Sequence, residues 1–302
     1  MKQNLNFVNY FKIFNILSLV LVLVSFIFIT FKGLNYGIDF KGGTLIEIRL
    51  ENKDIKVSNI RDSLRKINLG DVNVKNFGED SDFLIKIEEK LNNNEALITK
   101  IKTTLNQDLN EEVNYRRVES VGPKVSAELL KSGVISIGLA LLMMLFYIWF
   151  RFEWQFSLGS IIALFHDVII TVGIFSLLSI EINLSIVAAV LTIVGYSMND
   201  TVVIYDRIRE NLSKYNKLDV DQISNLSVNE TLSRTLITSV TTLLALFSIF
   251  ILGGEILKGF SFAMILGVII GTYSSIFVAS PVLKYLNVTY KTLEKKEEKI
   301  VP

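Results

Sequence analysis

The chain has no cysteine among its 302 residues. That excludes disulfides, a thiolate metal site and a cysteine nucleophile. Histidine occurs once, at His166, and one imidazole among scattered carboxylates lacks the ligand spacing of a metal centre. Net charge is also scarce, at +1, which argues against a polyanion such as nucleic acid as partner. There is no phosphate-cradling loop for ATP, and no cofactor is expected. Charge is missing above all from six long apolar runs.

Half of the residues are hydrophobic, and the mean hydropathy is positive, which together exclude an ordinary soluble globule. A membrane span needs roughly 20 mostly apolar residues, and the six runs at 13–31, 132–150, 156–178, 184–205, 235–252 and 260–283 qualify. Lys2 and Lys12 precede an apolar core too long for a signal peptide, and Phe31-Lys32-Gly33-Leu34 is a poor cleavage site, so the first run reads as an uncleaved anchor. Lysines and arginines crowd the tail and the loops on one side: Arg151, Arg207, Arg209, Lys214, Lys217, Lys291 and Lys295. The short loops opposite offer only Lys258. Positive charge marks the cytoplasmic side, so both termini are expected there. The expected division is 1–34 for the N-terminus and first span, 35–125 for an external domain, 126–286 for the other five spans and 287–302 for a charged tail.

The external stretch reads as a ferredoxin-like α+β domain. Thr44 to Leu50 alternates, with Ile46, Ile48 and Leu50 on one face. Ser58 is placed to cap a short helix carrying Ile60, Leu64 and Ile67, closed by Gly70. Val72 to Phe77 and Phe83 to Glu88 form a strand pair about an acidic turn at Gly78. Asn94 to Leu109 is a helix with Leu97, Ile98, Ile101 and Leu105 inward, and Val113 to Val118 is the last strand. The β-α-β-β-α-β order is the split unit. Its acids lie among lysines and arginines, as on a solvated surface, and no catalytic constellation stands out. Binding an extended chain along the sheet edge is compatible with the shape.

The chemistry is expected inside the membrane. Asp200 sits in the fourth run, where a carboxylate costs roughly 2.5–3.5 kcal/mol and persists only beside a partner or a watered path. The 3.6-residue period puts it on a stripe with Tyr196 and Ser197. It lies roughly 8 Å to the cytoplasmic side of the span's centre, with Asn199 adjacent. Asp206, Arg207 and Arg209 fall at the interface and read as anchors. On the fifth span Thr231, Arg234, Thr238, Thr241 and Ser248 share a side. Arg234 reads either as a snorkelling anchor or as the cation that pairs with Asp200. On the third span the His166–Asp167 pair, with Thr171 one turn on, reads either as a packed polar pair or as a proton relay. Ala263, Gly267, Gly271, Ser275 and Ala279 on the sixth span make a small-residue stripe for close helix packing, whose mate the sequence leaves open.

Several segments resemble the SecD/SecF family of bacterial protein-translocase membrane subunits, on its SecF side, which is related to the RND transporters. These are Gly37-Ile-Asp-Phe-Lys-Gly-Gly43, Val121-Gly122-Pro123, Phe165-His-Asp-Val-Ile169, the long run Gly195 to Asn211, and Arg234-Thr-Leu-Ile-Thr-Ser239. The similarity covers essentially the whole chain, and the Gly195 to Asn211 run is its most specific part. It implies a non-enzymatic subunit of the cytoplasmic (inner) membrane that pairs with SecD and associates with the SecYEG channel and YajC. There it would use the proton-motive force to draw exported, unfolded polypeptide outward. The family's proton-conducting carboxylate and arginine fall on Asp200 and Arg234. Gly37, Asp39, Gly42, Gly43, Gly122 and Pro123 would be structural, shaping the links between spans and external domain. Single-chain transporters of the wider class join two halves, each with one span, an external domain and five spans; this chain supplies one half.

Three other readings compete. A proton-coupled RND-type exporter half for lipids or small molecules should carry a larger external part enclosing a ligand. An intramembrane aspartyl protease using Asp167 and Asp200 would need a Gly-x-Gly-Asp motif, and Asn199 precedes Asp200 instead. For an inert scaffold the intramembrane polar residues would be dispensable.

Overall fold

The computed structural model describes residues 5–52, 54–67, 72–88, 94–215 and 217–297. In order, the elements begin with α1 (Val8–Phe31), α2 (Ile38–Lys41), β1 (Gly43–Arg49), α3 (Val57–Arg65), β2 (Val72–Phe77), β3 (Glu79–Ile87), α4 (Asn94–Leu109) and β4 (Asn114–Val121). There follow α5 (Pro123–Arg151), α6 (Trp154–Leu178), α7 (Leu184–Lys214), α8 (Val220–Leu252), α9 (Gly254–Ser274), a π-helical turn (Ser275–Ala279), α10 (Ser280–Tyr285) and α11 (Tyr290–Glu297). Among the described residues six helices, the last running through the π turn, are long and apolar enough to cross a membrane. The chain forms two compact units, one of Met1–Asn35, Ser136–Ile180 and Ser185–Pro302, the other of Tyr36–Ile135 with Glu181–Leu184.

The α+β unit is a four-stranded sheet of order β2-β3-β1-β4 with every neighbouring pair antiparallel, the ferredoxin-like arrangement expected from the element order. Alternation along β1 sends Ile46 and Ile48 into a core shared with Ile60, Leu64, Phe83 and Ile101, all at most 1% exposed. Ile98 is only half-buried, and the side chain of Leu97 and the residue Gly70 lie outside the described residues. The helix at Ile60 begins two residues earlier than a cap at Ser58 would place it: the Asn59 side chain accepts the Lys56 N–H at 3.0 Å, so the capping acceptor lies inside the first turn. β3 starts at Glu79, because Gly78 takes φ +86° and lets Phe77 pair with Glu79. β4 extends to Val121 by pairing with Gly43.

The opposite face of the sheet departs from a solvated surface. Asp82 and Glu47 are 4% and 6% exposed. Asp82 accepts from Arg49 Nε at 2.5 Å and Nη2 at 2.7 Å, and from Arg116 Nη1 at 3.1 Å. The Arg49 hydrogen bond, with the field of both guanidiniums, outweighs burial and holds the Asp82 carboxyl below the usual carboxylate value.

In the helical unit, half or more of the apolar windows of α6, α7 and the last span is buried, at 50%, 50% and 61%. α1 and α5 reach only 11% and α8 17%, so the first three form the centre and the others surround them. α7 and α8 run well past the apolar segments, and ion pairs tie these extensions together. Arg207 Nε meets Glu230 at 2.6 Å, Arg151 meets Asp206 at 3.0 Å and Arg209 meets Glu153 at 3.4 Å. A capping box at Asp219 and Gln222 starts α8.

Candidate functional site: buried carboxylates of the helical unit

Three positions of the stripe on α7 are buried. Ile193, Ser197 and Asp200 are 1%, 1% and 2% exposed; Tyr196 is half-buried with its hydroxyl 3.5 Å from Thr242, and Asn199 is exposed. The partner of Asp200 is Thr272 on α9, whose hydroxyl approaches Oδ2 at 3.5 Å. Thr272 is also 2.7 Å from Ser239 on α8. A carboxylate only accepts, so Thr272 donates to Asp200 and Ser239 donates to Thr272.

Arg234 acts on Asp200 through space; among the described residues the two form no direct ion pair, and Arg234 is exposed. Farther along that side of α8, Thr241 and Ser248 are exposed and Thr238 half-buried, while Thr231, about one turn before Arg234, is buried. Each of these hydroxyls returns to its own helix, Thr238 to the Arg234 carbonyl at 3.1 Å, Thr241 to Ile237 at 2.8 Å and Ser248 to Leu244 at 2.9 Å. The buried polar positions of α8 are Ser224, Ser227, Thr231, Thr235 and Ser239.

A second carboxylate is buried more deeply. Asp167 on α6 is 0% exposed. Its Oδ2 accepts from Ser197 of α7 at 2.5 Å and Ser274 of α9 at 2.8 Å, and its Oδ1 meets His166 Nδ1 at 2.8 Å. With Nδ1 turned to the carboxylate, Nε2 has no hydrogen-bond partner among the described residues. The imidazole stacks on Tyr273 at 6.0 Å. The Tyr273 hydroxyl donates to the Phe14 carbonyl of α1 at 2.8 Å and accepts from Ser18 at 2.8 Å.

The small-residue stripe of the last span has its mate inside this chain. A Cβ at Gly271 would lie 2.9 Å from Ser197 Cβ and 3.2 Å from Ser197 Cα, and one at Gly267 would overlap Ile193. α7 and α9 therefore meet backbone to backbone, which brings Ser274 and Ser197 to one carboxylate oxygen. Thr272 and Ser274 are not among the residues the sequence singles out, and Ser239 enters there only as the end of the motif that begins at Arg234. The signal for two of them was the polar run Thr272-Tyr-Ser-Ser275 within an apolar span.

The glycine motif explains itself inside the α+β unit. It includes a helical turn, α2, that strand alternation does not reveal. Gly42 and Gly43 have φ +80° and +129°, and a Cβ on Gly43 would press on the Ile87 carbonyl at 2.5 Å, so other residues are excluded. A Cβ on Gly42 would touch the Val121 carbonyl at 3.3 Å and Pro123 Cα at 3.6 Å, which joins this motif to Gly122-Pro123, where Pro123 opens α5. Gly37 N–H donates to the Ile182 carbonyl at 2.8 Å. Asp39 Oδ2 accepts the N–H of Leu184, the first residue of α7, at 2.9 Å.

A helical membrane unit with carboxylates buried between its spans, joined to a ferredoxin-like unit inserted after the first span, defines an integral membrane protein of the transport class. The family model described as protein export membrane protein SecD/SecF, C-terminal, matches residues 101–289, and the SecD/SecF GG motif matches residues 27–54. The protein translocase subunit SecF of Rickettsia rickettsii (strain Sheila Smith) is 45% identical over 93% of this chain and 92% of its own. That of Rickettsia conorii (strain Malish 7) is 46% identical over the same shares. The crystal structure of SecDF, a translocon-associated membrane protein from Thermus thermophilus, superposes with a TM-score of 0.84 at 35% identity, over 93% of this chain and 38% of that one. A second SecDF structure, in a super-membrane-facing form, gives 0.65 at 32% identity over 98% and 40%. The chain belongs to the SecD/SecF family, and it spans about two fifths of the SecDF chains it matches.

Proposed function

We propose that this chain is the SecF half of a SecD–SecF pair in the cytoplasmic (inner) membrane, with both termini cytoplasmic. The pair works beside the SecYEG channel and YajC, surrounded by lipid, and uses the proton-motive force to promote late steps of protein translocation. The chain acts as a non-catalytic subunit, and the exported unfolded polypeptide is its cargo. Asp200 is the proton-binding carboxylate and Arg234 its cation, with Tyr196, Ser197, Asn199, Thr238, His166 and Asp167 as the polar surroundings.

The observation that carries this reading is the burial of Asp200 at 2% exposure within an apolar helix, held by one long hydroxyl contact of 3.5 Å and no direct ion pair among the described residues. A site left so loosely satisfied can exchange a proton at modest cost, whereas a fully bonded carboxylate cannot. The exposed side of α8 that carries Arg234 supports a second chain at that face, since a guanidinium within a span calls for a protein or watered surrounding. One charge crossing 100 mV releases about 2.3 kcal/mol, so a few protons per cycle suffice to move an external domain.

The test is proton-motive-force stimulation of export in membrane vesicles holding the full translocase. Asp200→Asn should insert and assemble normally yet lose the stimulation. Retained stimulation would overturn the proton-carrier assignment. Arg234→Ala should behave likewise, and Arg234→Lys, which keeps charge without the fork, should recover part of it.

A further inference from the structure

We propose that Asp167 is a positioning residue: through Ser197 and Ser274 it sets the contact of α7 with α9 in which Thr272 reaches Asp200. The inference rests on the reading of Asp200 as the proton site and adds how that site is held. Asp167 lies on α6, while both residues of the Asp200–Thr272 contact lie on other helices. It is joined to each of those helices by one hydroxyl: Ser197, three residues before Asp200 on α7, at 2.5 Å, and Ser274, two residues after Thr272 on α9, at 2.8 Å. Both donate to the same oxygen, Oδ2, which admits them only because Gly271 lets α9 approach Ser197 to within the width of a missing methyl group.

The other side of the hub is also fixed. Oδ1 is engaged by His166 Nδ1 at 2.8 Å, and the Asp167 carbonyl takes the Thr171 hydroxyl at 2.8 Å. Directly after Ser274 the last span widens into its π turn at Ser275, and the Ser275 hydroxyl bonds back to the Thr272 carbonyl at 2.9 Å. Such widened turns recur at functional sites because they re-aim side chains. Here the turn begins where the Asp167 bonds end, so Thr272 and Ser274 stand on the last regular stretch of α9, held in register by Asp167. Around Asp200, α8 contributes the charge of Arg234, α9 presents the uncharged Thr272, and α6 carries the His166–Asp167 pair, whose hydroxyl partner on α7 is Ser197.

Two roles for Asp167 make opposite predictions. A proton carrier depends on its ionisable oxygen. A positioning residue depends on acceptors at the right place, and asparagine can supply them: its carbonyl accepts both serines while its amide donates to His166 Nδ1 in the other tautomer. The experiment uses the full chain with its partner subunit in liposomes. The protonated fraction of Asp200 is read by carbodiimide modification across pH and quantified by mass spectrometry, beside export stimulation on the same samples.

Asp167→Ala and the milder Ser274→Ala should move the pH midpoint of Asp200 modification by half a pH unit or more, in the direction taken by Thr272→Val. The double variant Asp167→Ala/Thr272→Val should move it no further than the larger single change, because both act through one contact. Asp167→Asn should recover most of the stimulation that Asp167→Ala loses, and Thr272→Ser should recover the midpoint. The proposal is overturned if Ser274→Ala and Thr272→Val leave the midpoint in place, if their effects with Asp167→Ala simply add, or if Asp167→Asn abolishes export with Asp200 modification unchanged. Failure of the underlying reading has a separate signature: Asp200→Asn exports normally while the midpoint shifts persist in the other variants.

Discussion

Replacing Gly271 by alanine tests the geometry of the site where α7 and α9 meet backbone to backbone. The added methyl would lie 2.9 Å from Ser197 Cβ, 3.2 Å from its Cα and 3.3 Å from its Oγ. Because Cα is one of these atoms, no side-chain rotation relieves the contact, and α7 and α9 must separate by several tenths of an ångström. Overpacking of this kind costs about 1–3 kcal/mol. Separation also strains the paired bonds from Ser197 and Ser274 to Asp167 Oδ2, and one hydrogen bond is worth about 0.5–1.5 kcal/mol. Against this, alanine gains about 1 kcal/mol over glycine in a helix. The net is a loss of about 2 kcal/mol. Gly138 on α5 is the control, since nothing lies within 4 Å of a Cβ there, and Gly138→Ala keeps the propensity gain alone. Reversible denaturation of the purified chain in mixed micelles measures both. The two substitutions should shift stability in opposite directions; equal shifts, or stabilisation by Gly271→Ala, would show that α7 and α9 do not meet as described.

Asp39→Ala should remove the acceptor for the Leu184 N–H and weaken the start of α7 by about 1 kcal/mol, seen as faster amide exchange at Leu184 and the next turn, while Asp39→Asn keeps most of the protection. In the α+β unit, Asp82 has a folded pKa below its ordinary 3.8. Its ionic contribution is therefore complete above about 3.8 and is lost as the pH falls through the lower folded value. Acid titration of stability should show this loss, and Asp82→Asn should flatten it while lowering neutral-pH stability by about 1.5–3 kcal/mol. A variant as acid-sensitive as the parent would place the acid dependence elsewhere.

Which features were legible before folding follows from the range of the forces involved. Spans, strands and the face of each helix come from periods of two or 3.6 residues over short windows, so β1 to β4, α4 and the stripe Ile193-Ser197-Asp200 could be read directly. The depth of Asp200 in an apolar run needed no partner to be noticed. Reading failed where side-chain geometry, near or far along the chain, chose the hydrogen-bond partner. Ser58 has the right chemistry for a cap, yet Asn59 reaches the Lys56 N–H. Asp39 reads as part of the link between the first span and the external domain, and its acceptor oxygen serves Leu184, 145 residues away. Glu47 and Asp82 have the composition of a surface, and the pairing of β1 with β3 and β4 buries them under arginines.

By itself the sequence determined the membrane class, the six spans, the split β-α-β-β-α-β unit and the place of Asp200 in an apolar run, because hydropathy and periodicity are local properties of the chain. Only the tertiary structure decided that Thr272, rather than Arg234, touches Asp200, that Asp167 gathers hydroxyls from two other helices, and that the stripe of Gly267 and Gly271 closes on α7 of the same chain. Those outcomes depend on how closely helices far apart in sequence can approach, and that distance is set by packing.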